Sequence, residues 1–479
     1  MKTKIYKASG LLLIVWLLIS CKKDFLEIVP KGKLIATTVK DYDLLMNNSS
    51  LYSLNSDNGL LIMGDDVAAE QSRFQNANVA NQRAFAWEDV IRDPGQEDSY
   101  TNFQLKNLFI CNKVINEVTT ITDGTDAERA ALQGDALATR AWINFDLINR
   151  YAKPYNATTA ATDPGFPLIT QANINAGNYS RNPVAEVYQS IIADLQKAIA
   201  SLPAKSVFVT RMSRPAAATL LGKVYLFMGR PQEALTQLNL AFADVIATPS
   251  IASLYNYNET FAPGGEFLPI GRLGPNHPGS NILKYKESIL LKTLNVYPDA
   301  SGLVIKPEVM ALYNASDLRL NFYSNTRSDM TQVPGGLKVK YAVQYAHIGI
   351  ELSDLILLRA EVKARLNDLP GAKADVEMLR RNRMPAIDAP VPTTVITGPD
   401  LVKFIIEERQ REYACEGPRW LDMRRLSVDP LHAVQNIIHP LYTADGTTIS
   451  RTFTLRPTRL TLRIPDNILQ LNPAITDNP

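Results

Sequence analysis

The sequence is poor in the residues that most often carry chemistry: three cysteines and four histidines in 479 residues. The histidines, at 277, 347, 432 and 439, are never three or four apart, so no helical turn offers two imidazoles to one metal ion. There is no Gly-x-Ser-x-Gly, no phosphate loop, no Gly-x-Gly-x-x-Gly and no helix–loop–helix calcium loop. An enzyme would have no motif to start from, although the two carboxylates of a glycoside hydrolase need none. Net charge is lacking too: 50 Lys and Arg face 48 Asp and Glu, so nucleic acid is not implied as a partner. Beyond the first twenty residues, no stretch approaches the ~18 uninterrupted apolar residues that a membrane helix needs.

What is present begins with a targeting pattern. Lys2, Lys4 and Lys7 precede the apolar run Leu11–Ile19, which ends at Leu18-Ile19-Ser20-Cys21, a bacterial lipobox. Residues 1–20 are therefore expected to be a signal peptide and Cys21 the acylated mature N-terminus. Several acyl chains on one residue anchor stably where a single chain is marginal. Lys22-Lys23-Asp24-Phe25-Leu26-Glu27, followed by Pro30 and Gly32, reads as a tether with some hydrophobic docking. Cys111 and Cys415 have no CxxC partner and read as free core thiols, with a disulfide left open.

Residues 40–48 read as a short helical patch and 47–82, rich in Asn, Ser and Asp, as mostly irregular. Helical periodicity dominates from about 100, with helices over 127–151 and 184–202. Ala217, Leu221, Val224 and Met228 follow the stripe of a buried helical face. Overlying it, Leu221-Gly222-x2-Tyr225-x3-Gly229-x4-Ala234-x6-Ala241 has the small/large spacing of a tetratricopeptide repeat. A second copy at 352–380 has Ala360 and Ala372 where the first has Gly222 and Ala234, with Asn367 at the turn position of Gly229. Between them, 248–346 is rich in Pro, Gly, Asn and Tyr, a long excursion of the kind that is normally functional. Strand-like alternation appears after about 440. The fold expected is mainly α: a tetratricopeptide-like helix-pair body over about 100–247 and 348–426, the loop-rich excursion, and few short strands.

The stretch Ile405-Ile406-Glu407-Glu408-Arg409-Gln410-Arg411-Glu412-Tyr413-Ala414-Cys415-Glu416-Gly417-Pro418-Arg419-Trp420-Leu421-Asp422-Met423-Arg424-Arg425 resembles the C-terminal signature of the SusD/RagB family. Pro418 departs from the family's usual histidine. Ala138-x-Arg140-Ala141-x3-Phe145-x-Leu147, Val187-Tyr188-x-Ser190-Ile191-Ile192-x-Asp194-Leu195 and the ending Ile464-Pro465-x4-Leu469-Gln470-Leu471-Asn472-Pro473 are similar to further family segments, as is the lipobox with its Lys-Lys-Asp-Phe-Leu-Glu.

The resemblance implies a single domain over 21–479. It also implies an outer-membrane lipoprotein that faces the exterior, captures glycan without catalysis or cofactor, and delivers it to a SusC-like TonB-dependent transporter. A peptide or glycopeptide receptor is the alternative within the family; a surface glycoside hydrolase is the alternative outside it. Sugar rings stack on flat side chains while Asn and Asp bond their hydroxyls. Tyr255, Tyr257, Phe261, Trp87, Tyr100 and Tyr297, in or beside loops, are the expected ligand contacts. Trp142, Trp420 and Tyr225 fall in helical patterns and are expected to pack. In the charged helix 403–425, Glu407 and Arg411 are spaced to pair, and Glu416 and Asp422 are expected to face arginines. These groups read as structural, because guanidinium neighbours lower a carboxyl pKa and disfavour a general acid.

Intact-mass analysis of membrane-extracted protein should show a chain beginning at acylated Cys21, and Cys21→Ala should move the protein out of the membrane fraction.

Overall fold

The long helices follow from their buried stripes and caps. In this computed structural model, which describes residues 36–54, 59–173, 175, 177–278, 282–295, 301–341, 345–432 and 436–479, helix dominates and the strands are short. The helices of eight residues or more are α1 (Val39–Met46), α2 (Ser99–Glu117), α3 (Asp126–Tyr151), α4 (Val184–Ser201), α5 (Arg214–Phe227), α6 (Pro231–Ala247), α7 (Leu352–Arg365), α8 (Leu369–Arg380), α9 (Gly398–Tyr413) and α10 (Pro418–Leu426). Capping boxes built on Thr38, Thr125 and Thr397 start α1, α3 and α9 by satisfying otherwise orphaned backbone N–H groups.

Both repeat copies fold as helix pairs, α5–α6 and α7–α8. Gly229 and Asn367 turn each pair with left-handed backbone, at φ 70° and 64°. Glycine meets that demand freely, and asparagine is the side chain that tolerates it best. A Cβ on Gly222 would lie 2.6 Å from Leu238 Cγ and 3.3 Å from the Ala234 carbonyl oxygen. The small residue therefore sets how closely α5 and α6 approach. Ala360, Ala372, Val376 and Leu379 are wholly buried at the matching positions of the second pair. The two resemblance segments in α3 and α4 also meet: Arg140 grips Asp194 bidentately at 2.8 and 2.7 Å. Cys111 and Cys415 are free and buried, and Trp142, Tyr225 and Trp420 are buried.

Residues 47–82 are more ordered than their composition suggests. Val67–Glu70 forms β1, completely buried, at an inner position of a four-stranded sheet with β2 (Leu303–Ile305), β3 (Ile438–Tyr442) and β4 (Ile449–Thr454), in the order β4-β3-β1-β2. β1 runs parallel to β3 and antiparallel to β2. A strand buried on both faces has no alternation to betray it, and Val-Ala-Ala-Glu has none. Short helical turns at Gly59–Ile62, Gln71–Phe74 and Val79–Phe85 fill the rest of this region. A second small sheet joins Ser53–Leu54, Thr293–Asn295 and Tyr345–His347, tying the excursion to the N-terminal part.

The charged helix α9 works as a clamp. Glu408, fully buried, accepts from Arg319 (2.7 Å), Arg380 (2.8 Å) and Arg411 (3.0 Å). Glu412 accepts from Arg319 (2.8 Å) and Arg383 (2.7 Å), and Arg383 reaches on to Glu287 at 2.7 Å. Arg409 joins Asp354 (2.8 Å) to Asp422 (3.1 Å), while Arg425 joins Asp422 (2.8 Å) to Glu361 (2.6 Å). The pairings differ in two details from the sequence expectation. Arg411 binds Glu408, three residues back, rather than half-buried Glu407; Glu416 binds Lys340 instead of an arginine. The reason is burial: Glu408 points inward, where an unpaired carboxylate would be costly, and takes the guanidinium.

Burial pushes the Glu408 and Asp422 carboxyls up, but the arginines around them outweigh it and hold both well below the usual range. Their stabilising contribution is therefore present above the unfolded-state carboxyl pKa of about 4 and lost as pH falls further. Glu408→Gln should cost about 3–5 kcal/mol at neutral pH by stranding its cations. Glu407→Gln should stay within about 0.5 kcal/mol. Denaturant titrations check both, and the Glu408→Gln deficit should narrow only below about pH 4. Gly222→Leu should cost about 1–3 kcal/mol by overpacking, visible as a lowered Tm.

Candidate ligand cleft

The aromatic residues singled out from the sequence are not exposed platforms. Tyr255 and Tyr257 are buried with Phe267 in a small core of the excursion, against which half-buried Phe261, Tyr285 and Phe322 pack. The Tyr-Asn-Tyr-Asn alternation resembles a recognition loop, but it sends both rings inward. Asn256 caps the turn Tyr257–Thr260, and Asn258 donates to the carbonyls of Arg381 and Met384. Arg383 fixes the arrangement: its guanidinium lies 4.4 Å from the Tyr257 ring centroid and donates to the Tyr255 carbonyl at 3.0 Å.

Trp87 is buried as well. Its ring stacks on His439 at 3.8 Å and its Nε1 donates to the Met63 carbonyl. Tyr100 lies in the first turn of α2 rather than in a loop. It is buried under the Arg150 guanidinium, with its hydroxyl donating to Asp146. Tyr297 and Cys21 lie outside the described residues. Trp87, Tyr100, Tyr255 and Tyr257 are buried by polar partners or ring stacks, and Phe261 is half-buried against neighbouring rings, so none of the five described aromatics stands as an exposed platform.

A cleft beside the small three-stranded sheet brings together a different set. This cleft is open to solvent and lies between α3, α5, the start of α7 and the start of α10. Trp142, Phe145, Leu220 and Leu421 form apolar walls. Asp146, Lys223, His347, Glu351 and Asp354 supply polar groups. The N-terminal end of α7 positions two of them: Glu351 is its cap residue and Asp354 lies in its first turn.

Those two carboxyls stand in opposite electrostatic settings. Burial, then Glu416, Glu287 and Glu412, push Glu351 well above the usual carboxyl range and favour its protonated form. Burial would raise Asp354 too, but Lys223 and Arg409 outweigh it and keep the carboxyl low and ionised. Lys223 Nζ lies 3.4 Å from Asp354, and Arg409 donates to it at 2.8 Å. His347, 3.4 Å from Glu351, has its pKa lowered by burial and is neutral. The cleft thus offers a carboxyl pushed toward its protonated form, a neutral imidazole, the Lys223–Asp354 ion pair and Asp146 between apolar walls. That mixture suits hydroxyl groups on a ring with apolar faces, since a hydroxyl both donates and accepts.

Sequence reasoning missed these residues because Trp142 and Phe145 sit in a helix read as packing, and they do pack. The available signal was polar: Asp146 and Lys223 interrupt helical runs that are otherwise nearly all buried.

Comparison with known proteins agrees with this architecture. A family model described as starch-binding associating with the outer membrane matches residues 24–226, and the SusD family model matches 338–479. A SusD-like protein, P2, from Formosa agariphila is 24% identical over 362 residues, 66% of this chain and 69% of that protein. A putative sugar-binding protein from Bacteroides vulgatus superposes with a TM-score of 0.69 at 20% identity, over 93% of this chain and 99% of the other. A SusD superfamily protein from Bacteroides thetaiotaomicron gives 0.69 at 19%, over 92% and 100%. A laminarin-binding SusD-like protein gives 0.59 at 19%, over 91% and 97%. The two family models flank the excursion and together take in well over half of the sequence, and the clamp helix α9 falls inside the second: this chain belongs to the SusD/RagB family.

Proposed function

We propose that this protein is a cell-surface lipoprotein that binds oligosaccharide and passes it to a SusC-like TonB-dependent transporter, without turning it over. The match of 24–226 to a starch-binding, outer-membrane-associated family carries this reading. Two further observations favour it. Among the described residues no helix is long and apolar enough to cross a membrane, which is compatible with a lipid anchor at Cys21. The Trp142 cleft has apolar walls and a few convergent polar groups, the usual make-up of a small-molecule site.

A hydrolytic reading rests on one observation, that the Glu351 carboxyl is pushed up while nearby Asp354 is held low. Environments that separate two carboxyl pKa values are how acid and base roles are usually assigned. Here Asp354 is already held by two cations, which makes it a weak nucleophile or base. We therefore keep binding as the function and assign the cleft as the ligand site.

Isothermal titration with laminarin- and starch-derived oligosaccharides tests the proposal. The unsubstituted protein should bind at least one of them with no reducing ends released. Leu421→Trp, which fills the cleft from a half-buried position, should abolish binding with little change in Tm. Lys223→Met should weaken it about 10- to 150-fold, the worth of a hydrogen bond to a charged group. Tyr257→Ala should instead lower stability by about 3–5 kcal/mol, as loss of a buried ring does, and leave the affinity of the folded protein unchanged. Binding that survives Leu421→Trp would move the site elsewhere, and release of reducing ends would revive the hydrolytic reading.

A further inference from the structure

The described chain starts at Ala36, whose carbonyl accepts from the Tyr42 hydroxyl at 3.1 Å. Three residues later, Val39 enters the wall of a groove with about 1340 Å³ of open space between α1, the N-terminal half of α3 and the loop 202–212. Leu132, Leu202 and Met212 line it and are buried; Val207 and Phe208 stand on its lip, 89% and 52% exposed. This lip is fixed in place. The Val209 carbonyl accepts from Leu291 N–H at 2.8 Å, the Phe208 carbonyl accepts from Arg211 N–H at 3.0 Å, and the Arg211 side chain donates to Asn47 at 2.6 Å and pairs with buried Asp135. A fixed backbone that holds two large apolar side chains out in water marks a surface made to be covered.

We infer that the cover is the chain's own segment 22–35. The segment joins the groove at its mouth, since only Ala36–Thr38 separate it from Val39. Its fourteen residues could reach about 46–50 Å if fully extended, ample to cross the groove and return. Phe25, Leu26, Ile28 and Val29 supply apolar side chains to meet Val207 and Phe208. Charge is complementary: the groove carries Asp43, Asp123, Glu128 and Asp135 against Lys40 and Arg211. The segment carries Lys22, Lys23, Lys31 and Lys33 against Asp24 and Glu27. A docked segment holds Cys21 beside α1 and α3, so the anchor becomes a short fixed post and the body keeps one orientation over the membrane. This inference is independent of the ligand reading, and its test uses no glycan.

Cross-linking decides it. In the mature chain carrying Cys21→Ser, Phe25→Cys, Ile28→Cys or Lys31→Cys is combined with Val207→Cys and treated with a short bis-maleimide at high dilution. The native thiols Cys111 and Cys415 are buried and should not compete. At least one pair should cross-link within a single chain, read by peptide mapping. In parallel, deletion of residues 22–29 from the otherwise unsubstituted mature chain should speed hydrogen exchange in 203–212 by about tenfold or more, without loss of helical circular dichroism. Cross-links found only between chains would overturn the inference in favour of a second copy on the groove. Absence of cross-links together with unchanged exchange would overturn it in favour of some other partner.

Discussion

The four cations that Glu408 and Glu412 hold come from three separate parts of the chain. Arg319 comes from the excursion, Arg380 and Arg383 from the end of α8, and Arg411 from α9 itself. These groups are buried, so none can relax into water if its partner leaves, and removing one carboxylate strands several charges at once. The rest of the molecule is arranged around this constraint. Arg383 reaches from Glu412 to Glu287 and lies on Tyr257, so the aromatic core of the excursion is seated by the same clamp that seats α9. Arg409 and Asp354 carry the clamp to the wall of the cleft. The aromatic core of the excursion, apart from the main apolar core, is thus joined to the scaffold through ions, whereas the cleft walls Trp142, Phe145 and Leu220 belong to the main core itself.

The ionic joint also explains the chemistry of the cleft. Asp354 is held low because it belongs to the clamp, while burial and neighbouring carboxylates push Glu351, on the same helix end, the other way. Three residues of separation are enough to give one wall both an anion paired with lysine and a carboxyl pushed toward its protonated form.

The helical pairs were legible because they obey two independent rules at once. Gly222 and Ala234 had to be small for the axes to approach, and Gly229 and Asn367 had to accept left-handed backbone. Each rule leaves its own mark on residue type, and the marks coincide in both copies. The clamp was legible in outline, since so many arginines and carboxylates in one helix have to neutralise one another. Its partners were not, because the choice between Glu407 and Glu408 turns on which faces inward. β1 was illegible for want of alternation. The aromatics of 255–261 misled for a related reason: exposed recognition loops and small buried cores use the same residues, and only Arg383, distant in sequence, decides between them. The cleft was hidden because its walls are also packing residues, and concavity is a property of the assembled surface.

The position of the clamp in the chain has a consequence for how the protein is made. Arg319, Arg380 and Arg383 are synthesised before Glu408 and Glu412, and Asp354 and Glu361 before Arg409 and Arg425. Until Glu408 and Glu412 are made, the middle of the molecule is only partly neutralised: Arg319 has Asp317 and Arg383 has Glu287, but Arg380 still waits for Glu408. The chain thus carries its lock at the back, and a product cut short before Glu408 leaves the Arg380 guanidinium without the carboxylate that seats it in the core.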